Sequence, residues 1–161
     1  MKPLTTYAGA VAHLLSLGQE LKAAKFGLEN ITRLAEALDH PEQACPSVLV
    51  AGTNGKGSTA AMLESVLRAA GRRTGLYTSP HLARINERIR VAGEEISDGE
   101  FAAAFAAVQA AIERMLAAGA LEKHPSFFEC LTALAWEHFR RAACEILLLE
   151  VGMGGDRKSV V

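Results

Sequence analysis

The sequence has few cysteines, no excess of either charge and no long hydrophobic run, and each absence excludes a class of protein. Its three cysteines, Cys45, Cys130 and Cys144, lie far apart and form no C-x-x-C pair. An odd number of scattered cysteines predicts free thiols in a reducing compartment, and it argues against a disulfide framework or a zinc site.

The charge balance also excludes several partners. The formal net charge is −1, so no basic excess indicates nucleic acid or a membrane surface. No stretch approaches the roughly 20 apolar residues that a transmembrane helix needs. Because 50% of the 161 residues are hydrophobic, we expect a soluble, cytoplasmic, single-domain protein with a real core.

A glycine-rich stretch follows a short apolar run at residues 48–58, Val-Leu-Val-Ala-Gly-Thr-Asn-Gly-Lys-Gly-Ser. The three apolar residues suit a buried strand, and the three glycines allow a tight turn with exposed backbone. From Ser58 the apolar residues have helical spacing, and Gly71 is a natural end for that helix. Because a helix N-terminus presents free amides and a positive dipole end, the pattern predicts a phosphate-binding loop, with Lys56 adding positive charge.

This loop differs from the common G-x-x-x-x-G-K-[ST] pattern at an informative position. Gly57 follows Lys56, where the common pattern has the hydroxyl that binds magnesium. Any metal must therefore take its protein ligands from elsewhere. The alternative is a glycine-rich turn with one exposed lysine, but the combination of glycines, lysine and flanking elements favours nucleotide binding.

The rest of the chain alternates strand and helix patterns. Candidate strands occur at residues 74–78 and 146–149, and residues 89–91 and 95–96 suit a hairpin. Two S-x-x-E capping boxes, at Ser97 and Ser126, predict the starts of two more helices. Such alternation predicts an α/β fold with a parallel sheet flanked by helices.

Two polar residues follow predicted strands at the sheet edge where ligands collect. Glu150 directly follows the third apolar run, and a carboxylate there is costly unless something compensates its charge. Mg²⁺ beside nucleotide phosphates would do so, although Glu150 could also simply mark the end of the strand. Ser79 follows the second strand, where Thr-Ser-Pro by itself indicates only a turn.

Five segments, in order, resemble the folylpolyglutamate synthase/dihydrofolate synthase family, which is related to the Mur ligases. They are distributed along nearly the whole chain: Lys25–Ile31, Gly52–Ser58, Thr78–Leu82, Asn86–Ile89 and Leu149–Gly155. The resemblance implies the incomplete N-terminal part of a Mur-ligase-like ATPase domain with a P-loop-type sheet.

The resemblance also implies a set of site residues. Lys56 is expected to be catalytic, and Ser79 and Glu150 are expected to bind Mg²⁺. ATP is expected to bind the seven loop residues Gly52, Thr53, Asn54, Gly55, Lys56, Gly57 and Ser58.

The pterin substrate is expected to contact two further segments. The first is Ser126, Phe127, Phe128 and Glu129, which capping alone would also explain. The second is Ala23, Ala24, Lys25 and Phe26, where Phe26 could equally belong to the core. His81 and Arg88 are interpreted as structural residues.

The implied activity is ATP-dependent addition of L-glutamate to dihydropteroate or to folyl-(poly)glutamate through an acyl phosphate, by a monomer when full length. Residues 1–155 are expected to belong to the ATP-binding domain, and residues 156–161 depart from the family, as a truncation artefact would. With the C-terminal ligase domain absent, we expect this chain to be inactive, with an exposed strand edge and apolar patches. Another Mur-type ligase, or a non-catalytic nucleotide-binding fragment, remains the alternative.

Overall fold

The computed structural model describes residues 4–18 and 28–152. Within them the chain divides into two compact units. The described parts of residues 1–44 and 98–138 form a helical unit, and those of residues 45–97 and 139–161 form a sheet unit. The assignment of residues 1–155 to one ATP-binding domain stays a prediction, and residues 156–161 lie outside the described part.

The sheet unit contains five strands and one long helix. The strands are β1 (Ser47–Val50), β2 (Thr74–Tyr77), β3 (Ile89–Val91), β4 (Glu94–Glu95) and β5 (Ile146–Glu150), and the helix is α3 (Lys56–Ala69). The strand order is β1-β5-β2-β3-β4. The first three strands in this order, β1, β5 and β2, are parallel, with Val50 opposite Glu150 and Tyr77 opposite Leu149. The prediction of parallel βαβ units is therefore confirmed, and the carboxyl ends of β1, β5 and β2 lie side by side.

The predicted hairpin extends this sheet and makes it mixed. β3 pairs antiparallel with both β2 and β4. Its two-residue turn, Ala92-Gly93, has φ values of 50° and 87°, which is the left-handed backbone that twisted hairpins need. The hairpin thus adds two antiparallel strands on the side of the sheet away from β1.

Apolar residues cover both faces of the central strands. On one face, Leu76 and Leu148 pack with Ala60 of α3, and Val50, Leu63 and Leu67 join them. On the other face, Gly75 leaves room for Leu147 and Phe139, because a Cβ there would lie within 3 Å of both. Burying each leucine contributes about 1.5–3 kcal/mol, which fixes α3 against the sheet.

The helical unit contains α1 (Tyr7–Ser16), α2 (Glu29–Ala37), α4 (Asp98–Ala117) and most of α5 (Phe127–Arg141). The helix predicted to start at the Ser97 capping box is α4, and its buried face includes Phe101, Phe105, Val108, Ile112 and Met115. The Tyr7 ring of α1 meets Phe101 edge to face at 5.5 Å. Aromatic contact of this kind adds to the stability that area burial provides.

The expected exposed edge is present at β1. The apolar run at residues 48–50 forms a strand as predicted, but the prediction that this strand is buried is wrong. β1 lies at the end of the sheet, and Leu49 is 47% exposed. Met62 and Val66 of α3 are also exposed. Within residues 4–18 and 28–152, no helix is long and apolar enough to span a bilayer.

Candidate functional site

The loop between β1 and α3 has the backbone that its glycines predict. Gly52 and Gly55 have φ values of 150° and 73°, which other residues rarely adopt. Gly55 is the N-cap of α3 and offers no side chain to the first helical amides. Thr53, Asn54 and Ser58 are exposed, so the N-terminus of α3 is open to an anion.

The Lys56 side chain lies over this loop. It is the first residue of α3, and its Nζ donates a hydrogen bond to the Gly52 carbonyl oxygen at 2.8 Å. The helix therefore begins two residues earlier than the apolar spacing from Ser58 predicted. Because the ammonium group is tied to one carbonyl in an exposed loop, a phosphate at the helix N-terminus can compete for it.

Glu150 and Ser79 meet at the carboxyl end of the sheet. Glu150 is the last residue of β5 and is 9% exposed. Its Oε2 accepts the backbone N–H of Ser79 at 3.0 Å. The predicted meeting of these two residues is therefore present in the structure.

Gly57, the residue after Lys56, lies against the Glu150 carboxylate. The sequence alone did not reveal this reason for a glycine at position 57. It lies inside α3 rather than in the turn, so it needs no special backbone conformation. A Cβ built on Gly57 would lie 3.2 Å from Glu150 Oε2, closer than a Cβ normally approaches an oxygen. The residue after Lys56 is thus small because Glu150 occupies the adjacent space, and Lys56, Ser79 and Glu150 share one edge of the sheet.

This arrangement fits a magnesium ion. Glu150 offers hard carboxylate oxygens that are almost buried, and Ser79, which carries a hydroxyl, is bonded to one of them through its backbone N–H. Among the described residues, no group of three or more His, Cys, Asp or Glu could hold a metal. Mg²⁺ suits such a sparse donor set because it usually keeps several waters and takes its other ligands from substrate phosphates.

The Ser126–Glu129 segment is confirmed as a helix cap. Glu129 Oε2 accepts both the backbone N–H and the hydroxyl of Ser126 at 2.7 Å, and the Glu129 N–H donates back to Ser126 Oγ at 3.3 Å. Phe127 is buried and Phe128 is half-buried. A pterin-binding role for these residues stays a prediction, and Ala23, Ala24, Lys25 and Phe26 lie outside the described residues.

Two of the three cysteines are poorly suited to chemistry. All three are free thiols. Burial, helped by the Glu129 charge, raises the pKa of Cys130 to about 12, and burial is the main cause that raises the pKa of Cys144 to about 11. The Cys130 and Cys144 thiols are protonated at neutral pH and are therefore poor nucleophiles and metal ligands.

Between β2 and β3, sequence reasoning gave Ser79 a metal-binding role but gave no binding role to His81, Glu87 or Arg88. Buried Arg88 donates from Nε to His81 Nδ1 at 2.8 Å, a contact that supports their structural interpretation. Glu87 accepts three backbone N–H groups from the residues that follow His81. The available signal was a glutamate three residues after Arg84, which is capping-box spacing without the usual serine or threonine.

Comparisons with known proteins agree on one family. No protein-family model matches the chain. The folylpolyglutamate synthase of Lacticaseibacillus casei is 39% identical over 153 residues, which are 95% of this chain and 35% of that protein. The chain thus spans little more than a third of that relative.

Two solved structures give the same result. One is a bifunctional folylpolyglutamate synthase/dihydrofolate synthase with Mn, AMPPNP and L-glutamate bound, at 36% identity and a TM-score of 0.80 over 96% of this chain and 35% of that chain. The other is an Escherichia coli protein in complex with DHPP and ADP, at 35% identity and a TM-score of 0.81 over the same shares. On this sequence and structural similarity, the chain belongs to the folylpolyglutamate synthase/dihydrofolate synthase family.

Proposed function

We propose that this chain is the nucleotide- and magnesium-binding part of an ATP-dependent ligase that joins L-glutamate to dihydropteroate or to folyl-(poly)glutamate. One observation carries the proposal: the open N-terminus of α3 with Lys56 lies beside a nearly buried carboxylate, Glu150, that is hydrogen-bonded to Ser79. The site therefore combines amide donors and a cation for phosphate with oxygen ligands for a metal.

The ligands of the similar structures support this proposal. One relative was solved with Mn, AMPPNP and L-glutamate, and another with DHPP and ADP. AMPPNP is an ATP analogue, and Mn²⁺ accepts the same oxygen ligands as Mg²⁺. We propose that Gly52–Ser58 bind ATP and that Ser79 and Glu150 bind Mg²⁺ in this chain.

The reaction would use two displacements. A carboxylate oxygen of the pteroate or folyl-glutamate substrate attacks the γ-phosphorus of ATP, the bond to the β,γ-bridging oxygen breaks, and ADP leaves. The amine of L-glutamate then attacks the acyl carbon of the acyl phosphate, phosphate leaves, and the nitrogen loses a proton to give the amide. No side-chain nucleophile is needed.

The contribution of this chain is positioning and charge. Lys56 and the first amides of α3 would bind the phosphates and offset the negative charge that develops during phosphoryl transfer. Glu150 and Ser79 would hold Mg²⁺, which supplies further positive charge to the same group. The Ser126–Glu129 and Ala23–Phe26 segments would bind the pterin, with Phe128 offering a half-exposed aromatic ring.

We propose a narrower activity for the chain by itself. Because it spans 35% of the length of the Lacticaseibacillus casei relative, it would bind nucleotide without completing ligation. The exposed β1 edge supports this, since within residues 4–18 and 28–152 no strand pairs with the outer side of this apolar strand. The full-length protein would act as a cytoplasmic monomer, in keeping with the three free thiols.

The decisive experiment compares the chain with its Lys56→Ala variant. Binding of AMPPNP with Mn²⁺, measured by calorimetry, should be detectable in the wild type and lost in the variant. Lys123→Ala, which removes an exposed lysine from the helical unit, is the control and should bind like the wild type. Equal binding by Lys56→Ala would refute the site.

Substrate choice is tested on the complete gene product. ATP turnover should depend on dihydropteroate or a folyl-glutamate together with L-glutamate, and Lys56→Ala should abolish it. Turnover with a UDP-muramyl peptide instead would favour another Mur-type ligase.

A further inference from the structure

The loop that begins at Ser79 is closed at its base. It connects β2 to β3, and the backbone N–H of Thr78 donates to the Arg88 carbonyl at 3.0 Å across the two strand ends. The loop ends in a 3-10 helix, Ile85–Arg88. The side-chain amide of buried Asn86 in this helix donates a hydrogen bond to the Ile96 carbonyl oxygen, which follows β4, at 2.7 Å.

The outer half of the loop has almost no packing of its own. Leu82 is 96% exposed, and Ala83 and Arg84 are exposed as well. Hydrophobic burial therefore cannot determine the conformation of these three residues. Something polar must hold this part of the chain.

Glu87 provides that restraint. Its Oε1 accepts the backbone N–H groups of Ala83 and Arg84 at 2.8 and 2.6 Å, and its Oε2 accepts that of Leu82 at 2.7 Å. These N–H bonds, Leu82 first, lower the pKa of Glu87 to about 2, so the carboxylate is charged at neutral pH. Hydrogen bonds to a charged acceptor are about twice as strong as neutral ones.

A second contact ties the preceding residue to the same 3-10 helix. Arg88 Nε donates to His81 Nδ1 at 2.8 Å. Residues 81–84 are thus all bonded to Glu87 or Arg88. Between the Thr78–Arg88 hydrogen bond and these restraints lie only Ser79 and Pro80, and the N–H of Ser79 contacts Glu150.

We infer that Glu87 is a positioning residue for metal–nucleotide binding: by holding residues 82–84, its carboxylate keeps Ser79 in the conformation that meets Glu150. This inference rests on the proposed function of Ser79 and Glu150. Glu87 itself touches neither residue in the contacts described, so it acts through the loop backbone. Residues that orient metal ligands in this way typically affect metal affinity 10–100-fold when removed.

The test uses Glu87→Ala and Glu87→Gln in this chain. Alanine removes all three accepted bonds, whereas glutamine can keep those of Ala83 and Arg84 through its one carbonyl oxygen. Glu145→Ala is the matched control, because Glu145 also accepts a backbone N–H, from Arg73 at 2.7 Å, but precedes β5 at the opposite end of the strand.

The first measurement is the affinity for Mn²⁺ with AMPPNP. Glu87→Ala should weaken binding about tenfold or more, Glu87→Gln less, and Glu145→Ala not at all. A folded Glu87→Ala chain with wild-type affinity overturns the inference, and so does an equal loss in Glu145→Ala. If alanine prevents folding, Glu87→Gln decides: wild-type affinity in that variant also overturns the inference.

The second measurement is independent of nucleotide binding. Exchange of the Ser79 amide with solvent, followed by ¹⁵N-edited NMR, should accelerate in Glu87→Ala and stay unchanged in Glu145→Ala. Unchanged Ser79 exchange in Glu87→Ala overturns the inference even if affinity falls. If the wild type binds no nucleotide, the proposed function fails, but the amide measurement still tests whether Glu87 positions Ser79.

Discussion

Ser79 donates its backbone N–H to Glu150 Oε2 at 3.0 Å, across 71 residues of sequence. Glu150 ends β5, and Ser79 lies two residues beyond the end of β2, so the parallel register of β2 on β5 brings them together. The same carboxylate oxygen lies closest to the position of a Cβ on Gly57. One oxygen thus connects the loop after β2, the end of β5 and the first turn of α3.

Gly57→Ala should weaken metal–nucleotide binding more than it weakens folding. The new Cβ would lie 3.2 Å from Glu150 Oε2 and push the carboxylate away from the Ser79 N–H. Losing a hydrogen bond to a charged group costs about 1.5–3 kcal/mol, and alanine in a helix returns up to about 1 kcal/mol. We expect a net loss of about 1 kcal/mol in the free energy of unfolding, measured by chemical denaturation. The AMPPNP–Mn²⁺ affinity, measured by calorimetry, should fall about tenfold.

Gly99→Ala is the matched control for that prediction. Gly99 is also the second residue of its helix, but a Cβ there meets nothing within 4 Å. It should leave binding unchanged and stabilise the chain slightly. Equal effects of the two substitutions would mean that the Gly57–Glu150 contact is irrelevant to binding.

Acid should lower the folding stability of the chain, partly because Glu87 becomes protonated. Its pKa is lowered from 4.5 to about 2 on folding, so its contribution to stability is complete above pH 4.5 and is lost as the pH falls through about 2. Glu87→Gln, which does not titrate, should therefore show a smaller drop in melting temperature over that range than the wild type. Parallel melting curves for the two proteins would contradict the assignment.

Ser126→Ala should destabilise the helical unit through its cap. The substitution removes the hydroxyl that accepts the Glu129 N–H and donates to Glu129 Oε2. Loss of an N-cap side chain typically costs about 1 kcal/mol. Ser16→Ala, whose exposed hydroxyl bonds only the nearby His13 carbonyl in the contacts described, is the control for a smaller effect. An unchanged free energy of unfolding in Ser126→Ala would leave substrate binding as the explanation for this serine.

Leu49→Lys should reduce self-association of the chain. Leu49 is an exposed apolar residue on β1, which ends the sheet and leaves a strand edge available for pairing. A lysine on an edge strand opposes such pairing because its charge would be buried between two sheets. Light scattering should show less aggregate than in the wild type, whereas Leu82→Lys, in an exposed loop, should change little. Equal aggregation of Leu49→Lys and the wild type would exclude the β1 edge as the cause.

Local chemistry was sufficient to predict most elements. The turn at Gly52 and Gly55 and the cap at Ser126 both depend on residues within a few positions of one another. Boundaries were less certain, since α3 begins at Lys56 and not at Ser58. The spacing of apolar side chains cannot reveal helical residues that face away from the core.

The sequence by itself determined the kinds of group available for chemistry: a glycine-rich loop with a lysine, a serine after one strand and a glutamate at the end of another. It also carried the family resemblance that the comparisons confirmed. The tertiary structure alone decided which atoms meet. Glu150 Oε2 meets the Ser79 N–H and lies against Gly57 because three strands align, and Glu87 restrains an exposed loop because of how the β2–β3 loop folds. No local pattern encodes that alignment, because it depends on the packing of the whole sheet unit.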